Sequence, residues 1–425
     1  MLAVGLPVAL TGCQSSGDTT SPTTGSTQSP TTVSTPSPTT RLTPSVTTTQ
    51  TTTRVTSTSA NPQQTATGTI TGVAEERFGA FGTAVAVDGG TALIGATDGP
   101  DGGAVVVFEK SSTWQQTATI RHEKTSDMFG AAVAISDNVA VVGDRFADRG
   151  DRHNGLAYIF ERTPEGWRQA ETIGPPSGRG DDELFDGIGW SVDVAGETVI
   201  VSAQREQSPM RSEVGSVQLF RRTDNGWARS ETFTSRQRGY GWEVALPRPD
   251  RAAVGIPRVE TTDGTGKVVI LNNAEEGWTG TATLSTAGND QFGNTLAGDE
   301  TALVVGTRSA SNDTNGTRAY VHELVDGTWT QTRLDLADVR SSAISVAVAG
   351  DTAVVGTSGG GDQQGQAFVF TRAAGEWSRQ SRLVVNNATA AFGRTVAATG
   401  NTVLVAAPDN SESGSQRDPV YVFNL

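Results

Sequence analysis

Residues 81–96 read FGTAVAVDGGTALIGA, and the fold follows from that stretch because it recurs. Counterparts begin at Phe129 (FGAAVAISDNVAVVGD), Ile188 (IGWSVDVAGETVIVSA), Tyr240 (YGWEVALPRPDRAAVGIP), Phe292 (FGNTLAGDETALVVGT), Ser342 (SAISVAVAGDTAVVGT) and Phe392 (FGRTVAATGNTVLVAA). Each opens on a small-residue strand, turns, and continues as an apolar strand. After a variable loop comes a third strand that ends on a bulky residue: GAVVVF (103–108), LAYIF (156–160), SVQLF (216–220), KVVIL (267–271), RAYVH (318–322), QAFVF (366–370) and VYVF (420–423). A fourth strand starts with tryptophan in six copies, at Trp114, Trp167, Trp227, Trp278, Trp329 and Trp377. Seven four-stranded units, offset by about fifty residues, predict an all-β chain folded as a seven-bladed β-propeller.

Blades radiate from an axis and lie closest together at the centre, so inner strands must be small. Ala, Gly and Val dominate the first two strands of every copy, and the large aromatics arrive late, where the gap is wider. The fixed register of the six tryptophans assigns them to core packing rather than to a ligand-stacking set, since ligand contacts belong mainly on loops.

The seventh copy stops at VYVFNL and lacks its fourth strand, while QQTATGTI (63–70) nearly repeats QQTATI (115–120). Residues 63–70 are therefore expected to pair with 419–424, completing the last blade and covering a bare sheet edge.

The order and recurrence of these segments resemble FG-GAP repeat proteins of the bacterial and archaeal type, with a pattern close to FGxxVAIxGxTAVVGAP, GxAYVF and WxQxxxL. The resemblance covers about Asn61 to Leu425. Integrin-type repeats carry a DxDxDG-like calcium loop between the first two strands, where closely spaced oxygens surround a hard cation. Here those positions read VDGGT, SDNV, AGET, PRPDR, AGDET, AGDT and TGNT, so calcium is not carried over. The fourth and sixth copies replace the Phe-Gly pair by Tyr240-Gly241 and Ser342-Ala343.

The first residues, MLAVGLPVALTGC, form an apolar run ending in Leu10-Thr11-Gly12-Cys13. That quartet resembles a lipobox, which implies a signal-like segment over 1–12 and a diacylglycerol thioether on Cys13, the single cysteine. The run is far shorter than the roughly twenty residues that span a bilayer. Residues 13–60 are almost entirely Ser, Thr, Pro, Gly and Gln and cannot bury a core, so they are expected to form a disordered stalk below a propeller domain at 61–425. Asn312, Asn315 and Asn387 begin Asn-x-Thr sequons on or near loops, candidate glycosylation sites.

The formal charge is −14 and the only lysines are Lys110, Lys124 and Lys267. Acid excess with scarce lysine fits an exported haloarchaeal protein, and the absence of a basic stripe argues against nucleic acid as a partner.

Chain direction places the short first-to-second and third-to-fourth turns on one end of the ring. The other end carries the variable segments 97–102, 121–128, 144–155, 174–187, 203–214, 257–266, 307–317, 357–365 and 407–418. One face is thus a plain scaffold and the other the candidate binding surface. On that face Asp181, Asp182, Glu183 and Asp186 form the densest acidic cluster, a candidate ligand or cation site near Asp144, Asp148 and Asp151; its spacing fits no calcium loop, which favours a solvated acidic loop. Arg-Gly-Asp triplets at 149–151 and 179–181 are short enough to arise by accident. His122 and His153 fall on loops and His322 ends a strand, with no nucleophile or metal-spaced partner. VDGTWT (325–330) lacks the spacer of a sialidase Asp box and is not repeated.

These readings converge on a monomeric, lipid-anchored binding or adhesion module at the outer face of the cell membrane. It would recognise a protein or glycan through its variable face, without catalysis, cofactor or metal. The rival is a glycan-acting hydrolase with its active site at the axial mouth.

Overall fold

The computed structural model describes residues 52–54, 62–71, 79–98, 102–122, 128–147, 155–175, 187–204, 215–257, 266–286, 290–308, 317–336, 343–359, 364–386, 388–408 and 418–425. Every regular element among them is a β-strand, arranged as seven antiparallel meanders that match the seven sequence copies. Blade one runs outward from Gly79–Asp88 through Thr91–Asp98 and Ala104–Lys110 to Trp114–Ile120. The innermost strands of blades two to seven are Ala132–Ser136, Ile188–Ala195, Val244–Arg248, Thr295–Gly298, Ala343–Ala349 and Thr395–Thr399. Each innermost strand touches the next around the ring, including blade seven against blade one.

The repeat motifs mark places where blades meet backbone to backbone. A Cβ added to Gly215 of blade three would stand 1.8 Å from the Tyr240 carbonyl oxygen of blade four, and one on Gly365 of blade six 1.8 Å from that of Phe392 of blade seven. No side chain fits at either place, so the third strands of blades three and six must begin on glycine. The glycine of the Phe-Gly pair is needed for its backbone angle, since φ is +91° at Gly82 and +89° at Gly130, a conformation L residues rarely adopt. Copy six carries Ala343 instead, and there the inner strand pairs with its neighbour without a register shift, from Ala343 opposite Ser358 to Ala349 opposite Thr352. Loss of the motif and loss of the irregular turn go together.

The seven apolar clusters lie between adjacent blades. Trp227, Trp278, Trp329 and Trp377 are buried in them, and Trp114 and Trp167 pack against them from the rim. The tryptophans are core residues, as their register predicts. Two also donate across the blade boundary: Trp227 Nε1 to Glu161 at 2.9 Å and Trp377 Nε1 to Glu323 at 3.1 Å. The same carboxylates pair with Arg222 and Arg372 of the next blade, and Glu109 with Arg162. A second linkage recurs at the inner turns, where Asp88, Ser136, Asp299 and Thr399 accept from the backbone N–H of Asp137, Gly196, Gly350 and Gly89. The last of these joins blade seven to blade one.

Gly68–Ile70 is the fourth strand of blade seven, antiparallel to Val420–Val422, so the N-terminal part of the domain completes the last blade. The expected pairing of all of 63–70 with 419–424 requires correction. Gln63–Thr65 instead lies parallel to Arg382–Val384 at the outer edge of blade six. The reason is composition: Ile70 is the one large apolar side chain in this segment and enters the interface with Phe81, Ala406 and Val420, whereas the residues before it are mostly polar and mostly exposed. Thr52–Arg54, near the end of the expected stalk over 13–60, pairs in parallel with Gln331–Arg333 at the rim of blade five. The remainder of that stretch lies outside the described residues. Among the described residues no helix is long and apolar enough to cross a membrane.

Candidate functional site

Most residues singled out by sequence lie outside the described residues: Cys13; Asp181, Asp182, Glu183 and Asp186; Asn312, Asn315 and Asn387; and Asp148, Asp151 and His153. Asp144 is described and fully buried. His122 stacks on Tyr158 with ring centroids 4.4 Å apart. His322 is enclosed in the core against the edge of Phe292, and burial pushes its imidazole down to about 3, which keeps it neutral. Among the described residues no group of three or more His, Cys, Asp or Glu side chains could hold a metal ion.

The structure brings together a different set. Each inner strand starts at the variable face and runs toward the scaffold face, so the third residue of every copy sits at the axial mouth. In blades three and four that residue is Trp190 and Trp242. Their ring centroids are 5.2 Å apart with planes tilted by 57°, and both keep part of their surface open. The Arg145 guanidinium, at the loop end of blade two, lies 4.7 Å from the Trp190 centroid and 5.3 Å from that of Phe146, a cation–π stack. Phe146 is 39% exposed. The four side chains form a ladder of flat faces across three blades.

Below this rim, further along the same strands, lie hydrogen-bonding groups. The Ser191 hydroxyl donates to Glu243 at 2.8 Å and accepts from the Val244 N–H at 3.2 Å. Asp193 accepts from the Leu246 N–H of the next blade at 2.6 Å and from its own neighbour Val194 at 2.8 Å. Both carboxyls are wrapped by protein, while Asp193 and Glu243 as whole residues are only partly buried. Burial pushes Glu243 up to about 7 against the Ser191 hydrogen bond, with the Asp193 charge adding to the rise. Burial likewise pushes Asp193 up to about 6, against its two backbone hydrogen bonds.

Sequence reading missed this set, although its signal was present. Where blade three has Asp193, the other six copies have Ala86, Ala134, Ala245, Ala297, Ala347 and Ala397. A position-by-position comparison of the seven inner strands isolates it at once.

The class defined by this architecture is a seven-bladed β-propeller. Residues 114–160, from the last strand of blade one through the third strand of blade two, match the FG-GAP repeat. A search of curated protein sequences finds no match. Solved structures are similar in fold: a hypothetical selenium-binding protein from Sulfolobus tokodaii shares 9% identity over 74% of this chain and 81% of that one, with a TM-score of 0.50. An acylaminoacyl peptidase shares 7% identity over 82% of this chain, with a TM-score of 0.50, and the chain spans 51% of its length. The polysaccharide lyase Uly1 shares 12% identity over 81% of this chain and 90% of that one, with a TM-score of 0.49. At such identities the likeness speaks for the fold alone.

Proposed function

We propose that this chain is a lipid-anchored binding module of the FG-GAP propeller kind, which uses its variable face to hold a protein or glycan at the outer face of the cell membrane and performs no chemistry on it. One observation carries the reading: the half-open aromatic ladder of Phe146, Trp190 and Trp242 lies on the face that also bears the variable loops. Rigid scaffolds concentrate recognition in this way. The Leu10–Cys13 quartet and the Ser/Thr-rich stretch behind it support anchorage, with two lipid chains giving stable attachment where one is marginal. The acid excess supports a haloarchaeal home in concentrated salt, a monomeric state, and no role in nucleic-acid binding.

A second reading, a glycan-acting hydrolase, rests on the Glu243 and Asp193 pair at the axial mouth, since enclosed carboxyls of raised pKa are what acid–base catalysis uses. Binding is favoured because each Asp193 oxygen already holds a backbone N–H, which gives the carboxyl a structural role.

The test uses the full chain expressed on native membranes. Cys13→Ser should release it to the medium or leave it unprocessed, and partners recovered at native salt should be lost when variable segments such as 205–214 are exchanged for glycine-serine linkers. Unchanged membrane association defeats the anchorage. Turnover of a captured glycan, abolished by Glu243→Gln, replaces the binding reading with the hydrolase.

A further inference from the structure

The seven copies form an internal control, because each shows what the ring needs at a given position. At the mouth the other five copies place Thr83, Ala131, Asn294, Ile344 and Arg394 where blades three and four place Trp190 and Trp242. One residue further in, the counterparts of Glu243 are Ala84, Ala132, Ser191, Thr295, Ser345 and Thr395. The Asp193 position is alanine in all six others. Two indoles and two carboxyls therefore fall on two adjacent inner strands, at positions where no other copy places an aromatic or an acid. The indoles stand partly in water, and the carboxyls lie where water is scarce and, among the charges that act on them, no cation offsets the cost. Residues that the repeat does not require, gathered on adjacent strands at one end of the ring, mark a site.

We propose that this mouth binds a neutral pyranose residue of a glycan, lying on the Trp242 face beside Trp190 with its hydroxyls directed to Glu243 and Arg145. The inference rests on the variable-face binding reading and gives it a substrate class. A sugar ring offers an apolar C–H face on one side and a ring of hydroxyls at its edge. The site offers the counterpart of each: the partly open Trp242 indole at the rim, then the Glu243 carboxyl one residue, ~3 Å, deeper along the strand. Glu243 can accept from a sugar hydroxyl when ionised and donate to one when protonated. Charge selects the neutral ligand. A chain of formal charge −14 with two carboxyls in the throat repels uronates and sulfates. A free cation meets a Trp190 face already covered by the Arg145 guanidinium.

The experiment titrates the full chain with neutral oligosaccharides (maltohexaose, cellohexaose, xylohexaose and mannohexaose), with oligogalacturonate, and with chitosan hexamer, at low and high sodium chloride. At least one neutral oligosaccharide should bind, with an affinity that changes little with salt, since stacking and hydroxyl hydrogen bonds are not screened. Trp242→Ala and Trp190→Ala should each weaken that binding by about tenfold or more, as expected for loss of a buried aromatic contact. Trp242→Phe, which keeps a ring and the fold, should fall between wild type and alanine. No binding of any neutral oligosaccharide overturns the proposal, as does a preference for the anionic or cationic oligomer, or unchanged affinity in Trp242→Phe and Trp190→Ala. In each of these cases a membrane partner still captured in a loop-dependent manner leaves the variable-face reading standing, and loss of that capture as well removes both.

Discussion

Deleting residues 62–71 should lower the melting temperature by roughly 10 °C or more, whereas deleting residues 35–45 should leave it unchanged. The first deletion removes Gly68–Ile70 from blade seven and Gln63–Thr65 from blade six. Blade seven is left with three strands, and Val420–Asn424 becomes a bare edge beside blade one. Ile70, 3% exposed, is withdrawn from an interface it shares with Phe81, Ala406 and Val420. Losing one such side chain costs about 2–5 kcal/mol. The Thr67 N–H and hydroxyl bonds to the Val422 carbonyl go with it. Several kcal/mol at about 2 °C each for a domain of this size gives the expected shift. The control deletion takes away Ser, Thr and Pro residues with Arg41 and Leu42, a composition not expected to bury a core. Thermal unfolding of both variants at one salt concentration decides the matter, and equal melting temperatures would show that the ring closes without this strand.

The second large effect is a gain. Glu243→Gln should stabilise the protein at pH 8 and leave its stability near that of wild type at pH 4.5. Burial raises the folded-state value to about 7, above the ordinary 4.5. Below pH 4.5 the carboxyl is protonated in both states and costs nothing. Between 4.5 and 7 the unfolded chain ionises first and gains, so stability falls as pH rises. Above 7 the folded carboxyl ionises in place and the full cost stands, up to about 3 kcal/mol before solvent reaching its partly open surface reduces it. Glutamine keeps an acceptor for the Ser191 hydroxyl and carries no charge, so the difference between variant and wild type opens across that window. Asp193 adds a parallel fall between its ordinary value of 3.8 and about 6, which the variant retains. Paired melting curves from pH 4.5 to 8 measure it. A lower melting temperature for Glu243→Gln at pH 8 would mean that the ionised carboxylate is held by a cation.

The architecture was legible because a propeller spends its sequence on blade contacts. Phe81-Gly82 and Phe129-Gly130, the glycine that opens five of the third strands, and the tryptophan that opens six of the fourth serve one interface repeated around the ring, so they recur at fixed spacing. The route of the N-terminal segment was not legible. Thr52–Arg54 and Gln63–Thr65 are polar strands of three residues, and such a strand has no alternation to betray its register. The likeness of QQTAT at 63–67 to the fourth strand of blade one suggested one continuous closure strand. Only Ile70, with an apolar side chain to bury, keeps its neighbours on blade seven. The candidate site was legible in part. The choice of face followed from loop lengths, but the acidic and glycosylation candidates on its loops lie outside the described residues. Trp190, Trp242, Asp193 and Glu243 were hidden inside strands whose general character is small and apolar, and they appear only when the copies are compared position by position.

On the proposed reading, one face of this ring recognises and the other supports. Amide hydrogen exchange of the full chain, with and without a neutral oligosaccharide that binds it, tests this most directly. The account predicts added protection at the starts of the inner strands of blades three and four, residues 188–192 and 240–244, with the scaffold-face turns at 89–90, 137–138, 196–197 and 249–250 unchanged. Protection confined to those turns, with the axial mouth unaffected, would contradict it.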